Sequence, residues 1–579
     1  MITSRPLSWQ TVRTVRSTAA GHLPAAADRL PAAADRLPAA ADRLPAAAAV
    51  LAGAWILIAY SVGQWRSITV PSWDLAIFAE MAKAYAHGHA PIVPIKGDDY
   101  NLLGDHFHPI LVLLGPLWRL FPSPLMLLVV QDLLLAVSAW PLTRLATRLL
   151  GRSVATLLGV FYVLSWGFQG AAQAQFHEIA FAVPPLAWAS AAFVERRWSA
   201  CALWLMPLVF VKEDMGLTLI VAGGAIALRG WQDERAGLAP APSAGVGGGA
   251  VSSIGREPTW WRALRVDRPE AGPSGGGAVA PVGAGRPTAV QVGGYLALFG
   301  ALAFVLTVFI ILPLLSPTGS WQYGLGGNSG DGVASAQTGG TLLERLFSPD
   351  VKVATLFMLA CTAGLIGMAS PWMALTLPTL GWRFLADKEA YWQWRFWHYN
   401  AVLIPIALGA LLDVVSRLRQ RRTRRSSGAL LGEPAESVDE SSAGWLAAPV
   451  WARRVVAVGV VVPLVTGVLT ASDLPLWAMT QTDYGTTRRA GAAQQVLDSI
   501  PEGASVETDL TLLAYLVPKA TVSWVGTSDR ANDYVIVDSH SPAWGGRPPT
   551  DAAAWATQSR HVSYELILDV DGFQVAKRQ

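Results

Sequence analysis

Long apolar blocks separated by short polar stretches dominate the chain. Most blocks run for about 15 to 22 residues, and a helix of that length crosses a hydrocarbon core of about 30 Å. Backbone polar groups find no water in lipid, so spanning segments are expected to be helices. The pattern therefore predicts an all-α polytopic membrane protein.

Eleven segments fit a membrane span by this criterion. The predicted spans are 47–63, 125–143, 153–170, 178–194, 198–211, 215–228, 291–315, 351–369, 371–385, 399–415 and 453–471. The apolar segment 108–121 is shorter and is interrupted by Pro109, Pro116 and Pro122. We interpret it as a helix at the outer interface, because prolines break a continuous helix.

Arginine clusters predict the orientation of the spans, because basic loops stay on the cytoplasmic side. With eleven spans, the clusters near Arg148, Arg197, Arg229 and Arg419 all fall on one side. A full span at 108–121 would move the first of these clusters to the opposite side. We therefore predict a multi-pass plasma-membrane protein with a cytoplasmic N-terminus and an extracytoplasmic C-terminal domain.

The chain divides into membrane modules, loops and one polar C-terminal domain. The predicted parts are a disordered tail with LPAAADR repeats (1–46), a membrane module (47–228) with a first external loop (64–124), a flexible loop (229–290), a second module (291–415), a basic loop (416–452), a last span (453–472) and an external α/β domain (473–579). In that domain RRAGAAQQVLDSI predicts a helix, and TVSWV and DYVIVDS predict strands. YELILDVDGFQVAK predicts a hairpin that turns at Asp571-Gly572.

Composition removes several classes of function. Charged residues make up 15% of the 579 positions, against about a quarter in soluble domains. The formal net charge of +3 is too small to indicate a nucleic acid partner. The low content of charged residues indicates that membrane lipid surrounds the chain. The two cysteines, Cys201 and Cys361, lie in apolar runs and cannot form a disulfide framework.

Ionisable residues beside the spans are the main candidates for chemistry, because charge is costly near lipid. Five clusters lie on the predicted outer side. They are Trp73-Asp74, Gly104-Asp105-His106-Phe107-His108-Pro109, Gln175-Phe176-His177-Glu178, Lys212-Glu213-Asp214 and YWQWRFWHYN from Tyr391 to Asn400. Their common side predicts a polar, outward-facing site.

Each cluster also has a purely structural explanation. Asp74 could cap the helix predicted for LAIFAEMAKAYAHG, and the third cluster could supply favourable charge at a helix end. The two histidines at 106 and 108 could occupy a hydrogen-bonded turn instead of binding metal. The fourth cluster could neutralise itself, and the aromatic segment could be an interfacial belt.

The order of several motifs resembles a known family. These motifs are WDLAIF, GDHFHPILVLLGPLW, VQDLLLAVSAWPLTRLA, QFHEIAF, FVKEDMGL, WHYNAVLIPIALG, ASVETDLTLLAYL and DYVIVD. Together they resemble a bacterial family of uncharacterised multi-spanning membrane proteins, which is itself similar to the GT-C glycosyltransferases. The similarity covers most of 70–230 and parts of 370–540.

The resemblance implies a GT-C-like fold, a polyprenyl-phosphate sugar donor and a cell-envelope acceptor on the outer face. GT-C enzymes commonly place a catalytic base or metal ligand in the first external loop, and Asp74 matches that position. HFHP resembles the His-Pro segment that follows in several of them. The acidic pair common in such loops is incomplete here, since the partner of Asp74 could be Asp105 or neither.

The leading hypothesis is a glycosyltransferase-like protein with one outward-facing site. Its predicted catalytic residues are Asp74, Asp105 and Glu178. Its predicted substrate-binding residues are His106, His108, His177, Lys212, Glu213, Asp214, Arg395, His398 and Tyr399, with Lys212 and Arg395 on the donor phosphate. A divalent metal ion stays open as cofactor, with Asp74, His106, His108 and His177 as candidate ligands.

Two other classes of function use the same residues. A transporter or lipid flippase would bind substrate or protons in the same charged cavity. A non-catalytic envelope assembly factor would instead bind its partner through the external α/β domain.

Overall fold

The computed structural model describes residues 41–236, 287–317, 319, 341–386, 388–428, 449–527 and 529–579. The tail with its LPAAADR repeat and most of the two long predicted loops lie outside these ranges. The described residues are mostly helical and carry one five-stranded sheet near the C-terminus. The predicted helical membrane architecture with a small C-terminal sheet is confirmed at this level.

The α-helices of the described ranges are numbered in chain order. They are α1 Leu44–Arg66, α2 Ser72–Ala86, α3 Leu114–Leu120, α4 Pro124–Val137, α5 Ala139–Leu150, α6 Arg152–Val163, α7 Trp166–Gln173, α8 Val183–Val194, α9 Trp198–Leu205, α10 Met215–Arg235, α11 Ala289–Leu306, α12 Leu312–Leu315, α13 Leu342–Phe347, α14 Asp350–Thr362, α15 Leu377–Leu385, α16 Glu389–Trp392, α17 Leu403–Gly428, α18 Val450–Leu469, α19 Ala490–Ser499, α20 Leu513–Leu516 and α21 Ala552–Arg560. Short 3₁₀ turns at Pro109–Leu113, Glu178–Ala182, Met206–Phe210, Pro371–Thr376 and His398–Asn400 precede or follow several of them.

Six segments of the described chain are long and apolar enough to cross a membrane. They are Leu44–Arg66, Pro124–Leu150, Arg152–Gln173, Ala289–Leu315, His398–Gln420 and Val450–Leu469. Each coincides with one predicted span. The other five predicted spans fall on shorter or less apolar helices, and a set of eleven spans is not confirmed. Prolines explain part of the difference, since Pro207 and Pro371 start 3₁₀ turns inside apolar runs.

Helices α10 and α11 pack closely through glycines. A Cβ atom added at Gly223 would lie 2.3 Å from the backbone oxygen of Gly293, and one at Gly216 would lie 2.5 Å from that of Gly300. Small residues let helix backbones approach closely where apolar burial alone does not drive association. The two glycine pairs therefore fix the crossing of these helices.

The C-terminal sheet contains strands β1 Ser505–Thr508, β2 Thr521–Trp524, β3 Tyr534–Asp538, β4 Tyr564–Val570 and β5 Phe573–Arg578. Its strand order is β2-β1-β3-β5-β4, with β1 parallel to β2 and β3, and β5 antiparallel to β3 and β4. The predicted helix, the two predicted strands and the hairpin are all present. The turn has positive φ at Asp571 and Gly572, as an Asp-Gly turn favours. The sequence pattern missed the central strand β1.

The sheet domain and the loop after α1 share one hydrophobic core. Leu75, Met81 and Leu114 belong to the same buried cluster as Val506 and Val522. Hydrogen bonds reinforce this packing, because the Nζ atom of Lys83 donates to the carbonyls of Val517 and Ala520 at 2.7 Å each. The predicted external loop and the predicted C-terminal domain are therefore packed together beside the candidate site.

Candidate functional site

Asp74 lies in the first turn of α2 and faces a histidine. The residue before the helix is Pro71, and the Asp74 side chain makes no capping hydrogen bond, so the N-cap alternative is wrong. A carboxylate in the first turn still interacts favourably with the helix dipole. Its side chain is 40% exposed, and its Oδ2 atom lies 3.4 Å from Nε2 of His177.

Gln131 contacts the backbone of His177, and the carbonyl of Gln175 contacts its ring. Its backbone N–H donates to Oε1 of Gln131 at 3.1 Å, and Nε2 of Gln131 donates to the carbonyl of Gln175 at 3.0 Å. Nδ1 of His177 lies 3.1 Å from that same carbonyl. A carbonyl can only accept, so Nδ1 carries a proton. The other ring nitrogen, Nε2, faces the Oδ2 atom of Asp74.

The aromatic segment packs against this histidine. The rings of His177 and His398 stack with their centroids 3.5 Å apart, and His398 lies 4.0 Å from the ring of Tyr399. Phe78 of α2 contacts both His177 and His108 edge-on, at 5.8 Å each. The second, third and fifth predicted clusters are thus connected through these rings, and the Asp74–His177 contact adds the first.

The Lys212-Glu213-Asp214 triplet binds three separate partners. Nζ of Lys212 donates to Oε1 of Glu178 at 2.8 Å in a buried ion pair. Glu213 accepts from Nδ1 of His106 at 2.9 Å and from the backbone N–H of Phe107 at 3.1 Å. Asp214 accepts from Nε1 of Trp382 at 3.0 Å. The triplet therefore joins the second and third clusters and does not neutralise itself through mutual pairing.

Asp105 and His106 are charged neighbours in the second cluster. Burial alone would raise the pKa of Asp105, but the charges of His106 and Lys96 and hydrogen bonds from Tyr100 and Lys96 hold it below its usual value. Burial alone would lower the pKa of His106, but the facing Glu213 carboxylate raises it above its usual value. Both shifts favour the charged form of the residue concerned.

His108 has the opposite character and does not form a metal pair with His106. Burial lowers the pKa of His108 to about 4, so its ring is neutral. Across the described residues, no group of three His, Cys, Asp or Glu side chains could hold a metal ion. Asp74, His106, His108 and His177 therefore do not include such a group.

Arg395 lies apart from the other predicted cation. Its side chain is half-exposed, and its Nη2 atom lies 3.8 Å from Oδ2 of Asp473. Lys212 is bound to Glu178, so the two residues predicted to share a donor phosphate contact different acids.

Sequence reasoning missed three polar residues in or beside apolar segments. Gln131 holds the His177 loop, and the fully buried Arg383 donates to Asn400 at 2.8 Å and to the carbonyls of Tyr391 and Tyr399. Asp132 is also fully buried in α4. The sequence did contain a signal for these residues, because VVQDLLLAV and GWRFL each place a charged residue within an apolar run.

The candidate site and the sheet domain up to the middle of β5 lie within residues 66–575. That region matches the model of a family described as predicted membrane protein, DUF2079. The chain belongs to the DUF2079 family. No curated protein matches it. The family description and the six long apolar helices are consistent with the integral membrane protein that the sequence predicted.

Proposed function

We propose that this DUF2079 protein is a GT-C-like glycosyltransferase that transfers a sugar from a polyprenyl-phosphate donor to a cell-envelope acceptor. In this proposal the chain spans the plasma membrane eleven times, and the sheet domain and the site lie outside. The observation that carries the proposal is the Asp74–His177 pair. It places the half-exposed carboxylate of Asp74 against the ring of His177, at the edge of a buried polar network.

In the proposed reaction Asp74 is the general base. It takes the proton of an acceptor hydroxyl while that oxygen attacks the anomeric carbon of the donor sugar. The bond from that carbon to the phosphate oxygen breaks, and polyprenyl phosphate leaves with the electron pair. The proton remains on Asp74, shared with Nε2 of His177, until water removes it.

The surrounding residues have positioning and binding roles in this proposal. Lys212 holds the Glu178 carboxylate beside His177, so it is a positioning residue more than a phosphate ligand. Arg395 is the better phosphate contact, because its bond to Asp473 is long and exposed. Tyr399 and the ring of His398 would form the wall against which the acceptor packs.

The test compares Asp74→Asn with Asp99→Asn in the purified full-length protein. Polyprenyl-phosphate sugars and an envelope-derived acceptor are supplied, and product is measured by mass spectrometry. Loss of a general base lowers the rate by about 10²- to 10⁴-fold. Asp99 is an exposed residue in the same loop with a φ of 55°, which asparagine tolerates. Equal turnover by Asp74→Asn and wild type would remove Asp74 as base.

The transporter alternative predicts a different result in the same preparation. Flux of a lipid-linked sugar across proteoliposomes, without a new glycosidic bond, would favour it. The buried carboxylate of Asp132 is the observation on its side, since such residues often bind coupling ions.

The assembly-factor alternative is best tested on the surface of the sheet domain. Removing the whole domain would expose the core that it shares with α2. Edge strand β4 presents Leu566 and Ile567 to solvent, as a docking edge would. Loss of in vivo function in a Leu566→Ser, Ile567→Ser double variant with unchanged turnover would favour this alternative.

A further inference from the structure

Asp132 is an acidic residue inside a membrane-crossing segment. It belongs to α4, within the apolar segment Pro124–Leu150, and none of its surface is exposed. An ionisable side chain at such a position is a functional candidate by default, because keeping it there is costly.

Among the described residues, neither carboxylate oxygen of Asp132 has a hydrogen-bond partner. Ser61 of α1 lies beside it, and its hydroxyl is likewise buried with no hydrogen-bond partner in the described part of the chain. The titratable groups that sense its charge are the phenols of Tyr60 on α1 and of Tyr484, which packs on α1 from the chain beyond α18. No Lys, Arg or His side chain within the described ranges forms an ion pair with it.

An ionised Asp132 would therefore be an uncompensated buried charge. Such a group costs several kcal/mol and normally binds a proton instead. A metal cation is a poorer fit, because Asp132 and Ser61 together offer three unpaired oxygens, whereas hard cations such as Ca²⁺ take about six to eight.

We propose that Asp132 is a proton-binding site within the membrane, occupied by a proton at neutral pH. The neutral acid can donate its hydrogen to the Ser61 hydroxyl after a small rotation. Release of the proton would place a negative charge between α1 and α4 and force these helices to move or to admit water.

The same two helices bind the segment that carries His177. On α4, the neighbouring residue Gln131 binds the His177 backbone. On α1, Nε2 of Gln64 donates to the hydroxyl of Tyr60 at 3.1 Å, and Oε1 of Gln64 accepts from Gln175 at 2.9 Å. Movement driven by the charge of Asp132 would thus reach His177 from both sides. The assignment does not depend on glycosyl transfer.

The test is infrared spectroscopy of the full-length protein in lipid nanodiscs at pH 7. The wild-type minus Asp132→Asn spectrum should contain the C=O stretch of a protonated carboxylic acid, shifted in D₂O. The matched control is Asp473→Asn, since Asp473 is half-exposed and forms a long ion pair. Its difference spectrum should lack the acid band that Asp132→Asn reveals.

Three results would overturn the proposal. The first is a carboxylate signal for Asp132 at pH 7. The second is loss of the acid band when sodium replaces choline as the cation of the buffer. The third is Asp132→Glu without an acid band, a variant that also serves if Asp132→Asn fails to fold. A shifted acid band in Asp132→Glu supports the assignment, because the new carboxyl group stays in the same environment.

Discussion

Glu80 makes the packing of the sheet domain on α2 sensitive to pH. It lies on α2, is buried, and accepts a 3.4 Å hydrogen bond from the backbone N–H of Val522 on β2. Lys83, one turn along, is bound to carbonyls of the sheet domain. Burial raises the pKa of Glu80 to about 7, against smaller lowering effects from Lys83 and the Val522 hydrogen bond.

The sign and size of the effect follow from linkage. Glu80 has a usual pKa of 4.5, so below that pH both the folded and the unfolded chain carry the proton. As the pH rises through about 7, the folded state loses the advantage of the protonated form. At about 1.4 kcal/mol for each pH unit, the loss is about 3 kcal/mol. Glu80→Gln keeps the hydrogen-bond acceptor and removes the titration.

Thermal unfolding of the purified protein, followed by tryptophan fluorescence from pH 5 to pH 8, measures this. Wild type and Glu80→Gln should unfold at similar temperatures at pH 5, and the variant should be the more stable at pH 8. Glu502→Gln, at an exposed position of the sheet domain, should follow wild type throughout. Parallel curves for wild type and Glu80→Gln across the range would refute the reasoning.

Two further predictions concern the helical bundle. Gly223→Ala should lower stability by about 1 to 3 kcal/mol, because its Cβ would meet a backbone oxygen at 2.3 Å. Gly224→Ala should leave stability unchanged, because its Cβ would meet no described residue outside its own turns of the helix within 4 Å. Equal melting temperatures for the two variants would contradict the close crossing. Asp413→Asn should cost about 3 to 5 kcal/mol, since it breaks the buried pair with Arg229. Asp42→Asn, in an exposed pair, should cost less than about 1 kcal/mol in the same unfolding assay.

Local patterns predicted the secondary structure best where one physical property is decisive. The apolar length of 47–63 or 453–471 is enough to indicate a span, and the corresponding helices are present. The Asp571-Gly572 turn was equally clear, since positive φ is a local preference. Strand β1 was missed because it is short and only Val506 of its four residues is apolar, although it lies inside the sheet between β2 and β3.

The candidate site was only partly predictable. The sequence indicated which segments carry ionisable groups, because charge beside an apolar run is visible in one dimension. It did not give their partners, since Arg395 and Lys212 looked equivalent until one was found beside Asp473 and the other beside Glu178.

By itself, the sequence determined that this chain enters a membrane, where its main helices lie and which family it resembles. These properties depend on the composition and order of the residues, so they can be inferred without knowing how the chain packs. Only the tertiary structure decided which charges are compensated. His106 contacts Glu213, 107 positions away in the sequence, whereas Asp132 has no counter-charge among the described residues. The free energy of a buried charge depends on its neighbours in space, and those neighbours are fixed only when the helices and the sheet domain pack together.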